Sequence, residues 1–324
     1  MTISVLYVLA GLGVLVTSAD LFVRGSAAAS GHLGMPPLLI GMIVVGFGTS
    51  APEMLVSAVS SFQGNSGIAL GNAFGSNICN IALILGITAL IRPVSVTSGI
   101  LKRELPVLAS ATIASAFMVF NGYLSRWEAV FLLFLFAGFL FWSFVHAVNV
   151  EKDSLGDEVA GNLEKEALSL KGGLVRSAVG LVLLVASSRI LVTGSVNIAK
   201  ALGVSDLMIG LTIVAIGTSL PELASSVTAA LRNEHEIAFG NIIGSNMFNT
   251  LCVVGIAGTI RPIRIESSVL FRDMPVMAAL TASLFITGYG FKGWPGRINR
   301  LEGLLLLVSY ILYTGWIAAG YVRS

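Results

Sequence analysis

Apolar residues gather in runs close to span length, separated by short polar turns. Runs of about 20 residues match a helix crossing a hydrocarbon core of about 30 Å. Ten are read, at about 3–23, 36–61, 68–91, 104–121, 127–148, 173–196, 205–231, 237–259, 273–290 and 301–322. The alternating pattern of membrane strands is absent, so the expectation is an all-α membrane protein and not a barrel. Trp127, Trp142, Trp294 and Trp316 fall near run ends, where an interfacial aromatic belt would place them.

The pattern then repeats at an offset of 169 residues. Residues 40–93 align without a gap to 209–262, with 22 of 54 pairs identical. Gly48-Thr49-Ser50-Ala51-Pro52-Glu53 matches Gly217-Thr218-Ser219-Leu220-Pro221-Glu222, and Gly75-Ser76-Asn77 with Asn80 matches Gly244-Ser245-Asn246 with Asn249. Each copy holds five runs. Five is odd, so the second copy enters the membrane upside down. The expected architecture is ten transmembrane helices in two inverted five-helix repeats, 1–148 and 173–324, joined by a linker at 149–172. Secondary transporters are commonly built this way, with the substrate near the midplane between the halves.

The matched residues are mostly polar and mid-span. A carboxylate there costs about 3 kcal/mol on insertion scales. Glu53 and Glu222 both pay it, with no Lys or Arg beside them in the same span. Thr49 and Ser50 precede Glu53 by four and three residues, and Ser76 and Asn80 are four apart on the next run, which puts each pair on one helix face. Thr218, Ser219, Glu222, Ser245 and Asn249 repeat the arrangement. Only oxygen donors converge, which suits hard cations such as Ca²⁺ and Na⁺. Pro52 and Pro221 lack an N–H, so the carbonyls of Gly48 and Gly217 lose their helical partner, with Gly46 and Ala215 loosened beside them. Such carbonyls persist at membrane depth where they line a cavity or bind ions. The glycines of Gly71-xxx-Gly75 and Gly240-xxx-Gly244 read as close-packing surfaces.

Two ionised glutamates carry −2, balanced by one Ca²⁺ or two Na⁺. Competition for one pair of carboxylates couples the two fluxes. Exchange of three Na⁺ for one Ca²⁺ would move one net charge, about 2.3 kcal/mol per 100 mV.

Composition narrows the classes. Apolar residues make up 55%, charged residues 11%, and the mean hydropathy is +0.90. A soluble domain keeps roughly 25% charged. A net charge of +2 gives no footprint for nucleic acid. No CxxC or HExxH pattern occurs, and no nucleophile–base set or metal triad of an enzyme is found. No cofactor is expected. Cys79 and Cys252 lie inside apolar runs and read as small hydrophobes, and His32, His146 and His235 as surface residues. The start Met1-Thr2-Ile3-Ser4 lacks the basic residues of a signal peptide, so the first run is expected to stay as a helix. The side facing the linker collects 12 of the 19 Lys and Arg, the other side 6. That asymmetry puts the linker in the cytoplasm and both termini outside.

At its repeat motifs, Gly-Thr-Ser-x-Pro-Glu and Gly-Ser-Asn-x-x-Asn, the chain resembles the cation/calcium antiporter superfamily, specifically its prokaryotic sodium/calcium exchanger branch. The resemblance covers all ten runs. It implies an inner-membrane antiporter with four adjacent cation sites, alternating access, and sliding of the first and sixth spans across a bundle of the other eight. Its ligands fall on Thr49, Ser50, Glu53, Ser76 and Asn80, on Thr218, Ser219, Glu222, Ser245 and Asn249, and on the carbonyls of Gly46 and Ala215. Many relatives carry Asp at one of the positions held by Asn80 and Asn249, as potassium-dependent members do. Two amides here argue against a potassium requirement. The alternative activity is proton-coupled antiport of Ca²⁺ or another divalent cation, since the same glutamates can bind H⁺. A passive channel would share the oxygen-lined site but has no need of duplicated, opposed halves.

Two charges fall outside the motifs. Asp20 aligns with Arg189 at the 169 offset, and the two are expected to pair between the first and sixth spans unless Asp20 pairs with Arg24 four residues on.

Overall fold

The computed structural model describes all residues except 1, 34–35, 65, 97–99, 101, 151–168, 204–214, 289–295 and 323–324. Most of the linker, the start of the seventh expected span and Trp294 therefore lie outside the described residues.

Helices dominate: α1 (Thr2–Leu33), α2 (Pro37–Thr49), α3 (Ala51–Phe62), α4 (Ser66–Ile91), α5 (Glu104–Val119), α6 (Arg126–Val150), α7 (Leu170–Ala201), α8 (Ala215–Thr218), α9 (Leu220–Leu231), α10 (His235–Ile260), α11 (Val269–Thr287) and α12 (Arg300–Val322). Among the described residues, seven helices are long and apolar enough to cross a membrane. The pair α2–α3, bent by 44°, makes an eighth. α5 is apolar but shorter, and the expected span at 205–231 is described from Ala215 onward.

Burial sorts the helices into layers. α10 is buried through its apolar middle and α4 through most of its own. Phe74, Ile78, Ile81 and Ile84 of α4 pack with Phe239, Ile243 and Met247 of α10 in the main core. α1, α6, α7 and α12 are mostly exposed and apolar, a surface that requires lipid as its solvent. Trp127 and Trp316 stand exposed on this surface, while Trp142 packs partly against the core.

α1 and α7 pack antiparallel along their whole length. Gly11 meets Leu191, Gly180 meets Phe22, and Gly194 meets Ser4. A Cβ on Gly180 would lie 2.6 Å from Phe22 N, so the two backbones approach as only glycine allows.

Two short antiparallel ribbons lash the repeat copies together. β1 (Val94–Ser95) pairs with β4 (Arg297–Ile298), and β2 (Tyr123–Leu124) with β3 (Ile263–Arg264). Each ribbon takes one strand from each copy. Beyond them the repeat resumes at an offset of 174. Ser125 and Glu128 cap α6 reciprocally, the Ser125 N–H donating to Glu128 Oε2 at 2.8 Å and the Glu128 N–H to Ser125 Oγ at 3.3 Å. Asn299 and Glu302 do the same for α12, at 2.7 and 3.0 Å. These are capping boxes.

Candidate functional site

Proline places the break in each bent span. Pro52 and Pro221 stand in the first turn of α3 and α9, where a missing N–H costs nothing. The residue before each helix is non-helical, with Ser50 at φ −82° and ψ 1° and Ser219 at φ −90° and ψ 6°. The break sets Glu53 and Glu222 in the first turn of a new helix. There the positive end of the helix dipole favours a carboxylate, while the last carbonyls of α2 and α8 favour a cation.

Both glutamates are buried, as are Thr49, Ser50, Ser76, Asn80, Ser219, Ser245, Asn249 and Gly46. Thr218 is half-buried, and α8 begins at Ala215. The two carboxylates lie close enough to repel each other. Shared-face spacing does not describe how the hydroxyls are used, because the helix breaks between Thr49 and Glu53. The hydroxyls cross over instead. Ser50 Oγ donates to Glu222 Oε1 at 3.3 Å, with Thr49 against the same carboxylate, and Thr218 lies against Glu53.

Several buried oxygens around this point carry no hydrogen bond of good geometry. They are both carboxylate oxygens of Glu53, Glu222 Oε2, Asn80 Oδ1, Asn249 Oδ1, Ser219 Oγ and Ser245 Oγ. A buried acceptor without a donor costs about 1–3 kcal/mol, more when charged. Carboxylate, amide and hydroxyl oxygens gathered in this way suit a hard cation, which satisfies them together.

The carbonyls differ between the copies. Ser50 N–H still donates to Gly46 O at 3.1 Å, so that carbonyl keeps one helical donor and has its second lone pair for a cation. Ser219 N–H donates instead to Ile216 O at 3.1 Å and passes over Ala215 O. Gly217 O, deprived of a helical donor by Pro221, accepts the Ser188 hydroxyl of α7 at 2.8 Å.

Sequence reading missed the layer that holds the two glutamate helices in place. Asn72 Nδ2 donates to Glu53 O at 3.4 Å and Ser57 Oγ at 3.2 Å. Its repeat mate Asn241 donates to Glu222 O at 3.3 Å, Ser225 Oγ at 3.2 Å and Ser226 Oγ at 2.8 Å, and accepts from Thr49 Oγ1 at 3.1 Å. Asn80 Nδ2 donates to Asn246 Oδ1 at 3.0 Å, and Asn77 Nδ2 to Thr250 Oγ1 at 2.7 Å. All five asparagines stand in the repeated motifs, and that repetition was the available signal. Asn80 and Asn249 also sit in matched π-helical turns, Cys79–Leu85 and Phe248–Val253. An i→i+5 turn re-aims side chains, so the four-residue spacing from Ser76 and Ser245 does not give their direction.

Gly240 and Gly244 of α10 are buried against α2, and a Cβ on Gly240 would lie 2.5 Å from Leu38 O. On α4, Gly71 is exposed and Gly75 half-buried.

The expected Asp20–Arg189 pair is not formed. Arg189 is exposed on α7. Asp20 Oδ2 binds Arg24 Nε at 3.0 Å, and Asp20 Oδ1 binds Arg232 Nε at 2.6 Å. Arg232 ends α9, so the aspartate ties α1 to the helix that carries Glu222. Cys79 and Cys252 are buried free thiols, Cys252 in contact with Met54 Sδ at 3.9 Å. His32 is exposed, but His235 is half-buried.

Broken apolar helices that bring matched, buried glutamates together are the build of a membrane antiporter for cations. Comparison with known proteins gives the particular kind. The family profile described as sodium/calcium exchanger protein matches residues 3–145 and 172–319, and the chain belongs to that family. It is 43% identical to the putative antiporter CaxA of Alkalimonas amylolytica, over 97% of this chain and 98% of the relative. It is 36% identical to the inner membrane protein YrbG of Escherichia coli, over 100% and 98%. Its fold superposes on the solved structure of the sodium-calcium exchanger NCX_Mj soaked with 10 mM Na⁺ and zero Ca²⁺, with a TM-score of 0.82 and 34% identity over 96% of this chain and 98% of that one.

Proposed function

We propose that this antiporter exchanges Na⁺ for Ca²⁺ at a midplane site built on Glu53 and Glu222. The other ligands are the hydroxyl and amide oxygens of Thr49, Ser50, Ser76, Asn80, Thr218, Ser219, Ser245 and Asn249, and the carbonyls of Gly46 and Ala215. The observation that carries this reading is the cluster of buried, unpartnered oxygens around two glutamates at matched repeat positions. Two carboxylates balance one Ca²⁺ or two Na⁺, so the ions compete and the fluxes are linked. The exchanger names of the family and of the NCX_Mj structure add support.

The architecture proposed for this function is ten spans in two inverted five-helix repeats joined by the linker. The 169-residue repeat, the antiparallel α1–α7 pair and the cross-copy ribbons support it. The excess of Lys and Arg on the linker side supports a cytoplasmic linker and periplasmic termini in an inner membrane.

The test is uptake of radioactive calcium into proteoliposomes loaded with Na⁺ and diluted into Na⁺-free buffer, with an ionophore collapsing any proton gradient. Uptake that requires internal Na⁺ is the expected result. Uptake that appears only under an imposed pH gradient would assign the coupling to H⁺ instead.

A further inference from the structure

A second polar site lies away from the glutamates, where α1 meets α7. Thr17, Ser18, Asp20, Leu21, Arg24, Arg176 and Leu183 line an open cavity of about 420 Å³ there. Asp20 is shared between Arg24 and Arg232. Two guanidiniums thus share one carboxylate, and a third, that of Arg176, lines the same cavity.

Depth identifies the occupant. α1 and α7 are each 32 residues long. At 1.5 Å per residue each runs about 48 Å, some 18 Å more than the hydrocarbon core. Centred in the bilayer, each projects about 9 Å at either end. Arg176 is six residues from the start of α7, which puts it at the edge of the core. Arg24 is nine residues from the end of α1 and lies about 4 Å deeper. Both therefore sit just beneath a layer of lipid phosphates, within reach of a long side chain that extends toward it. Leu183, which lines the cavity, is 41% exposed on the lipid-facing surface, along the path of an acyl chain.

The repeat supplies an internal control. At the 169 offset, Arg24, Arg176 and Arg232 correspond to Thr193, Tyr7 and Gln63. The opposite end of the same helix pair keeps a single arginine, Arg189, in place of Asp20. The repeat architecture does not by itself call for a cationic corner. This corner is at the end that carries the linker, which the Lys and Arg count assigns to the cytoplasm, the side of the anionic leaflet.

We propose that the cavity between α1 and α7 binds the phosphate headgroup of an anionic phospholipid from the linker-side leaflet. Arg24 and Arg176 hold the phosphate. Asp20 keeps Arg24 in place and links the lipid to α9 through Arg232.

The test uses the whole purified protein in mild detergent and reads bound lipid by native mass spectrometry. Phosphatidylglycerol and phosphatidylcholine are offered at equal concentration. Retained phosphatidylglycerol should exceed phosphatidylcholine. Arg176→Gln should lower its retention about fivefold, and Arg176→Lys should keep most of it. Monodisperse elution of each variant checks folding. Equal retention of the two lipids, or undiminished retention by Arg176→Gln, would overturn the proposal. Displacement of the lipid by millimolar inorganic phosphate would also overturn it, in favour of a site for soluble anions.

Discussion

Ser50 of the first repeat copy donates its hydroxyl to the Glu222 carboxylate of the second, at 3.3 Å. The bond joins the break in one bent span to the buried carboxylate of the other, so any shift between the copies changes it. Ser50→Ala removes the donor and leaves the carboxylate in place. A hydrogen bond to a charged group is worth about 1.5 kcal/mol at its weaker end, or about tenfold. The apparent affinity for Ca²⁺ in sodium-loaded proteoliposomes is expected to change by about that factor, with expression unaltered.

Glu53→Gln and Glu222→Gln each preserve shape while halving the charge of the pair. One remaining carboxylate cannot neutralise Ca²⁺ at membrane depth. Each variant should elute as a monodisperse species and show sodium-dependent calcium uptake at background level. Uptake near that of the unsubstituted protein would reject the assignment of that residue.

Asn241 and Asn72 occupy matched positions but bear unequal loads. Asn241 contacts Glu222 O, two serines and Thr49, whereas Asn72 contacts Glu53 O and one serine. Asn241→Ala strips partners from several fully buried groups, at about 1–3 kcal/mol for each group left unsatisfied. The thermal midpoint in detergent should fall further for Asn241→Ala than for Asn72→Ala. Equal falls would show that the extra bonds contribute nothing.

Ser188 matches Ala19 in the first copy, so the hydroxyl that the long antiparallel pair gives to the second proline break has no counterpart at that position in the first. Ser188→Ala leaves Gly217 O buried without its donor and should cost about 1–3 kcal/mol. Ser188→Cys restores a weaker donor and should recover part of the loss in the same melting experiment.

The spans, the repeat and the two glutamates were legible in the sequence because each rests on a strong, local cost. Apolar length, repeated identity and an ionisable group in lipid need no knowledge of neighbours. Partnerships across the copies were not legible. Ser50 reaches Glu222 and not Glu53, because the break before Pro52 turns the two sides of the span away from a common face. Asp20 found Arg24, as its spacing allows, but also Arg232, 212 residues away, which no pattern along the chain announces. The π-helical turns at Asn80 and Asn249 escaped for the same reason, since tertiary packing selects them and composition does not. The reciprocal caps at Ser125 and Asn299 were readable from their spacing to Glu128 and Glu302, although they lie beyond the ungapped repeat.

The cross-copy ribbons set a timetable for synthesis. Val94 pairs with Ile298, so β1 emerges about 200 residues before its partner, on the order of 10–40 s at ribosomal speed. The first half must wait in the bilayer, its edge strand unsatisfied, until almost the whole chain has been inserted. Neither half closes alone, yet two separately expressed halves cut within the linker have every strand they need to find each other.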